Sequence, residues 1–192
     1  MSHNNIIPLS RRPIDIVILV FFVINLLFIT YIVDLEQLVI PDASNFTYPT
    51  WPPPAAVDLI HWYGHTYDPV LIARPVWWKM TILIDALLFG PFYVAAIYAF
   101  VKGKNWIRIP CFLYSAMLFT NVVIILGEER FGTYQAPNFG IVFMLNLPWL
   151  LFPILISGRM LSSNTPFNKQ EPRQGAVVAE ARSTIPSAPN AQ

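Results

Sequence analysis

The chain has 192 residues, of which 55% are apolar and only 12% charged, with a formal net charge of +1. Soluble domains carry about 25% charged residues, so this composition excludes a water-soluble surface, and the near-neutral balance excludes an electrostatic nucleic-acid binder. A single cysteine, Cys111, excludes an intramolecular disulfide and a multi-cysteine metal site, and nothing in the composition calls for a cofactor.

Residues 1–11 read as a short N-terminal segment, and Arg11 and Arg12 precede the first apolar run. The first apolar run covers about residues 14–40 and stops at Pro41; others cover about 77–101, 109–126 and 139–157. Each is long enough for a hydrocarbon core of ~30 Å, which takes roughly 20 helical residues. None shows the period-2 alternation of a barrel strand, and a backbone in lipid must satisfy its own hydrogen bonds, so the runs predict helices. The first run exceeds the 7–15 residues usual for the apolar part of a signal peptide, and no small-x-small site follows it, so it reads as an uncleaved span. The expected fold is an all-α membrane protein: a four-transmembrane-helix bundle over residues 12–158, with an extramembrane loop between its first two helices.

Within that loop, the stretch from Tyr48 to Pro54 reads as polyproline II, and Ala55 to Tyr67 as a short amphipathic helix on the membrane surface, anchored by Leu59, Trp62 and Tyr63. Asp68 before Pro69 predicts a turn that fixes the loop against the bundle. His61 and His65 share a helical face but lack further ligands, so no metal is expected. Residues 159–192 read as a tail, rich in Pro, Ser, Asn and Gln from about residue 162 and expected to be disordered.

Orientation follows from the basic residues, which gather on the cytosolic side. Arg11, Arg12, Lys102, Lys104, Arg108, Arg159, Lys169, Arg173 and Arg182 share one side, leaving Arg74, Lys79 and Arg130 on the other. Both termini are therefore expected in the cytosol. The sequon Asn45-Phe46-Thr47 then falls in the non-cytosolic loop, with Asn45 a candidate glycosylation site. Asp15, in a first turn after Pro13, suits the helix dipole as a cap, and Glu128, Glu129 and Arg130 read as a solvated interfacial cluster.

The polar groups inside apolar runs carry the functional argument, because each costs ~2.5–3.5 kcal/mol or more if it faces lipid. At 1.5 Å per residue, Asp85 lies ~12 Å below the non-cytosolic surface, Asn146 ~10 Å, Asp34 ~9 Å and Asn121 ~8 Å. Four helices thus bring one polar side chain each to the same slab. Trp149 projects from the same face of its helix as Asn146, and Tyr31, Phe92, Tyr98, Tyr114 and Phe119 are further candidates for the lining. Carboxylates among aromatic faces suit an amphipathic cation, or a carbocation formed during chemistry.

The run YAFVKGKNWIRIPCFLYS, with DLEQ ending the first span and HWYGHTYDPVL before the second, resembles the sigma-2 receptor group of the EXPERA family over about residues 12–158. That resemblance implies an endoplasmic-reticulum membrane protein, often a homodimer, with an intramembrane cavity binding sterols, isoprenoid-like lipids or cationic amphiphiles. It places the site on Asp34 and Asp85 and adds Asp68. The segments GEERFG and FMLNLPWLLFP are more similar to the sterol-isomerase branch, whose asparagine and tryptophan fall on Asn146 and Trp149. The isomerase's first-helix His and Glu have no counterpart here, and its second-helix acid aligns near Ile82. The leading expectation is a binding or trafficking protein for a sterol or related lipid, with Asp34, Asp68, Asp85, Asn121, Asn146 and Trp149 at the ligand and membrane lipids around it. The alternative is an isomerase or cyclase in which Asp85 or Asp34 protonates an alkene and the resulting cation faces Trp149.

Overall fold

The computed structural model describes residues 6–169. Four long helices form the bundle: α1 (Pro13–Val39), α4 (Val76–Lys102), α5 (Asn105–Phe131) and α6 (Phe139–Leu161). Between α1 and α4 lie α2 (Pro54–Thr66) and the single turn α3 (Val70–Ala73). Proline stands at the start of α1 and α2, where the missing N–H costs nothing. Gly103, at φ 63°, ends α4 in the left-handed conformation, and the methyl of Ile6 occupies the space a side chain would need there. Asn138 caps α6 by accepting from the Ile141 N–H.

Only 17–33% of the most apolar stretch of each long helix is buried by the rest of the protein. Leu27, Leu87, Leu113 and Ile154 are all at least 60% exposed, so the outer faces need a hydrocarbon solvent. The bundle is therefore a four-helix integral membrane protein.

Its core is aromatic. Phe22 on α1 sits 5.5–5.9 Å from the rings of Phe92, Tyr93, Phe100 and Tyr114, mostly edge-on or tilted, as ring quadrupoles prefer. Tyr93 and Tyr114 exchange a hydroxyl hydrogen bond of 3.1 Å between α4 and α5.

The two ends of the bundle are closed by ion clusters. At one end Asp15, fully buried, receives Arg12 at 2.8 Å and Arg159 at 2.7 Å, and both guanidinium groups lie over the ring of Phe167. Asp15 is thus the centre of a buried ion triad joining α1 to α6, a larger role than the helix cap expected of it. The expected disordered tail also differs over its first residues. Residues 162–169 fold back, Phe167 is fully buried, and Asn168 pairs with Ile6, because Phe167 fills an apolar gap beside Phe100. The rest of that tail lies outside the described residues.

At the other end Arg74, itself left-handed at φ 47°, forks onto both oxygens of buried Glu36 at 2.8 and 2.9 Å and donates to the Ile40 carbonyl. His61 meets the same carboxylate at 2.8 Å. These contacts clamp α2 and α3 across the end of α1. His61 is therefore held by an acid, while His65 is exposed.

Two of the long helices widen on the way through. Residues Asn25–Asp34 of α1 and Asp85–Phe89 of α4 form π-helical turns, with hydrogen bonds reaching one residue further than in an α-helix. The Tyr31 carbonyl accepts the Trp51 indole N–H at 2.7 Å, pinning the first loop to α1. Gly90 lets the two widened segments approach: a side chain there would meet the Tyr31 hydroxyl at 3.2 Å and the Thr30 methyl at 3.4 Å. Without aqueous solvent to drive packing, such small residues set how near two membrane helices come. Gly90→Leu is expected to separate α1 from α4 and lower the unfolding temperature of the detergent-purified protein, whereas Gly127→Leu, at a position with open space around it, leaves it nearly unchanged.

Candidate functional site

The widened turns place two carboxyl groups face to face. Asp34 closes the π-turn of α1 and is buried; Asp85 opens the π-turn of α4. Their carboxyl groups are close neighbours across α1 and α4, within range of each other's charge; a proton shared between them would leave the pair a single negative charge. Thr30 donates to Asp85 at 3.2 Å and so fixes the pair from the α1 side.

The pair opens onto a cavity of about 430 Å³ walled by all four long helices and capped by α2. That volume lies within the 300–1,000 Å³ typical of small-ligand sites. Asn121 of α5 and Asn146 and Trp149 of α6 line it together with Asp34, Asp68 and Asp85, so the six expected site residues share one wall system. Asn146 turns its amide to the Val142 carbonyl at 3.0 Å, leaving its oxygen free for the cavity. Trp149 is held by its indole N–H, which donates at 2.8 Å to Asn25, a fully buried residue whose own amide donates to the Phe21 carbonyl. The ring is therefore held in place at the cavity wall rather than free to turn.

The aromatic lining differs from the expected set. Tyr31, Tyr98 and Phe119 are exposed on outer faces, and Phe92 and Tyr114 belong to the core. Phe28, Trp78, Phe89 and Tyr93 line the cavity in their place. Depth arithmetic cannot separate these sets, because a π-turn shifts the angular register of every residue beyond it. The helix α2 forms as expected, but it roofs the cavity: Leu59, Trp62 and Tyr63 line its mouth.

At that mouth stands a second carboxyl pair. Asp68 precedes α3 and is the charged neighbour of Glu129 on α5. Glu129 is 1% exposed and neither of its carboxylate oxygens has a hydrogen-bond partner, which corrects the solvated cluster expected of residues 128–130. Only its neighbour Glu128 serves the loop, accepting the Thr133 N–H at 2.7 Å. The helix continues to Phe131, beyond its expected end, and so carries Glu129 inward under the turn at Asp68. Asp68 is thus both a loop anchor and a wall of the site. Sequence reasoning missed Glu36, Arg74, Thr30, Asn25 and Glu129 as partners. The one available signal was that Glu36 lies inside a run too apolar to leave it unpaired.

Outside the cavity, Asn45 is exposed in the first loop. It lies on the side opposite the termini, since the N-terminal and C-terminal segments pair with each other.

These features define a class: multi-pass membrane proteins with a cavity among the spanning helices, lined by paired acids. Residues 55–160 match the family model EBP, EXPERA (EXPanded EBP superfamily). The chain is 35% identical over 159 residues to sigma intracellular receptor 2 of Xenopus tropicalis, an alignment covering 76% of this chain and 86% of that protein. It is 29% identical over 181 residues to the Homo sapiens protein of that name, covering 87% and 97%. The chain belongs to the EXPERA family.

Burial pushes the Asp68 carboxyl up to about 6 from its ordinary 3.8, and burial followed by the charges of Asp68 and Glu129 raises the Tyr63 phenol. A carboxyl whose pKa rises on folding adds stability in acid and loses that contribution as the pH climbs through its folded value. The unfolding temperature should therefore fall between about pH 4 and about pH 7, and Asp68→Asn should flatten much of that slope. A slope unchanged by the substitution removes this role for Asp68.

Proposed function

We propose that the chain is an intramembrane binding protein for a sterol, a related lipid or a cationic amphiphile, acting in lipid binding or trafficking. One observation carries this reading: two neighbouring carboxyl groups, from α1 and α4, held at the wall of a largely apolar cavity within the membrane. The apolar walls take the hydrocarbon body of the ligand. Asp34 and Asp85 take its ammonium or hydroxyl, and Trp149, fixed by Asn25, offers a ring face to a cation. The relatives' printed name, which describes an intracellular receptor, agrees with a ligand-binding role.

A ligand ammonium buried against a carboxylate loses ~2–5 kcal/mol when that partner is removed, or roughly 30-fold or more in affinity. Asp34→Asn and Asp85→Asn should each weaken a fluorescent cationic amphiphile by that factor in the detergent-purified full chain, with thermal unfolding still cooperative. Wild-type affinity in both variants would eliminate the model. Incubating the same preparation with a Δ8 sterol separates the alternative: a shifted double bond would make the pair a proton donor and the chain an isomerase.

We further place the protein in the endoplasmic-reticulum membrane with both termini cytosolic. The support is charge: among the described residues, Arg11, Arg12, Lys102, Lys104, Arg108, Arg159 and Lys169 gather at one end, where Asp15 is the single acid. Expressed in microsomes, the wild-type chain should lose mass on endoglycosidase treatment and Asn45→Gln should not. A glycan-free loop combined with a C-terminal tag shielded from added protease would invert the topology.

A further inference from the structure

The basic end of the bundle holds a second cavity, of about 320 Å³, between the start of α1, the end of α6 and the returning segment 162–168. Three guanidinium groups, Arg11, Arg12 and Arg159, line it against one carboxylate, Asp15. One arginine suffices to neutralise Asp15, so the ion triad explains the joint between α1 and α6 but not the surplus charge.

The donors are unevenly used. Arg12 spends Nε on the Ile7 carbonyl, Nη1 on Asp15 and Nη2 on the Phe100 carbonyl. Arg159 serves Asp15 through Nε and Nη2 and the Pro166 carbonyl through Nη2. Its Nη1, with two hydrogens, meets only the Ser162 hydroxyl at 3.3 Å, at the exposed edge of the cavity. Arg11 is exposed beside it.

The opposite wall is apolar. Pro13 and Ile14 line the cavity, and Ile14, 49% exposed, continues along α1 into Val17, 52% exposed, on the face that meets hydrocarbon. One side thus offers positive charge and hydroxyls at the depth of a headgroup, and the other offers a track for a chain.

We propose that this cavity binds the phosphate of an anionic membrane lipid. Arg11, the free edge of Arg159 and the Ser162 and Ser163 hydroxyls take the headgroup, and the first acyl carbons lie along Ile14. Arginine forks match phosphate oxygens, and basic pockets between membrane helices on the cytosolic side suit anionic headgroups. The site is independent of the carboxyl-lined cavity and stands whether or not that cavity binds a sterol.

Native mass spectrometry of the detergent-purified full chain, loaded with equal phosphatidylserine and phosphatidylcholine, tests it. The wild type should retain phosphatidylserine over phosphatidylcholine by at least about fivefold, as a net charge attraction of this size gives. Arg11→Glu combined with Ser162→Asp touches neither bond to Asp15 and should bring the ratio near one, with the unfolding temperature preserved. Equal retention of the two lipids by the wild type overturns the proposal, as does a preference that survives in the double variant. Should that variant not fold, the wild type alone decides: inorganic phosphate that displaces the lipid at millimolar concentration overturns the lipid assignment, and phosphate that leaves the complex intact supports it.

Discussion

An ionised side chain removed from water must find its counter-charge, its proton or its hydrogen bonds inside the protein. That single constraint organises this bundle. Asp15 and Glu36, at opposite ends, are met by arginines, and these contacts lock α1 to α6 and α1 to the α2–α3 roof. Asp34 with Asp85, and Asp68 with Glu129, are met by each other. The two kinds of pairing have different consequences. An arginine cancels the charge; a second carboxyl does not. Among the described residues, the buried acids without a basic partner therefore lie at the cavity and its mouth.

The same logic separates structure from site. Groups cancelled by arginine are closed contacts with no need of a ligand. Acids without a basic partner remain receptive to an incoming cation. The roof at α2 makes the distinction geometric: its His61 face joins the closed Glu36 cluster, while its Leu59, Trp62 and Tyr63 face looks into the cavity. One short helix thus stands between the sealed Glu36 cluster and the cavity mouth.

Much of this was legible in the sequence, and the reasons differ by feature. The four spans follow from run length alone, which the bilayer fixes. Asp34, Asp85, Asn121 and Asn146 could be brought to one slab because rise per residue is a property of the helix. What depth does not encode is rotation, so the aromatic lining was assigned to Tyr31, Tyr98 and Phe119, which face outward. Partnership was equally opaque. Glu129 stands in a run of charges that reads as solvated, and only the extra turn of α5 under Asp68 shows it to be interior. Asp15 reads as a cap because a first-turn acid usually is one; Arg159, which claims it, stands 144 residues away.

The π-helical turns make the site depend on counting. In a regular helix each residue advances the side chain by about 100°, so one residue more or fewer swings everything beyond it to another face. The wide turns of α1 and α4 act as inserted spacers that bring Asp34 and Asp85 to a common front while the outer surfaces still meet lipid. Two relatives could share every acid and aromatic yet differ by a single deletion between Asn25 and Asp34. Their carboxyl groups would then point past each other, and a site built from identical side chains would be lost.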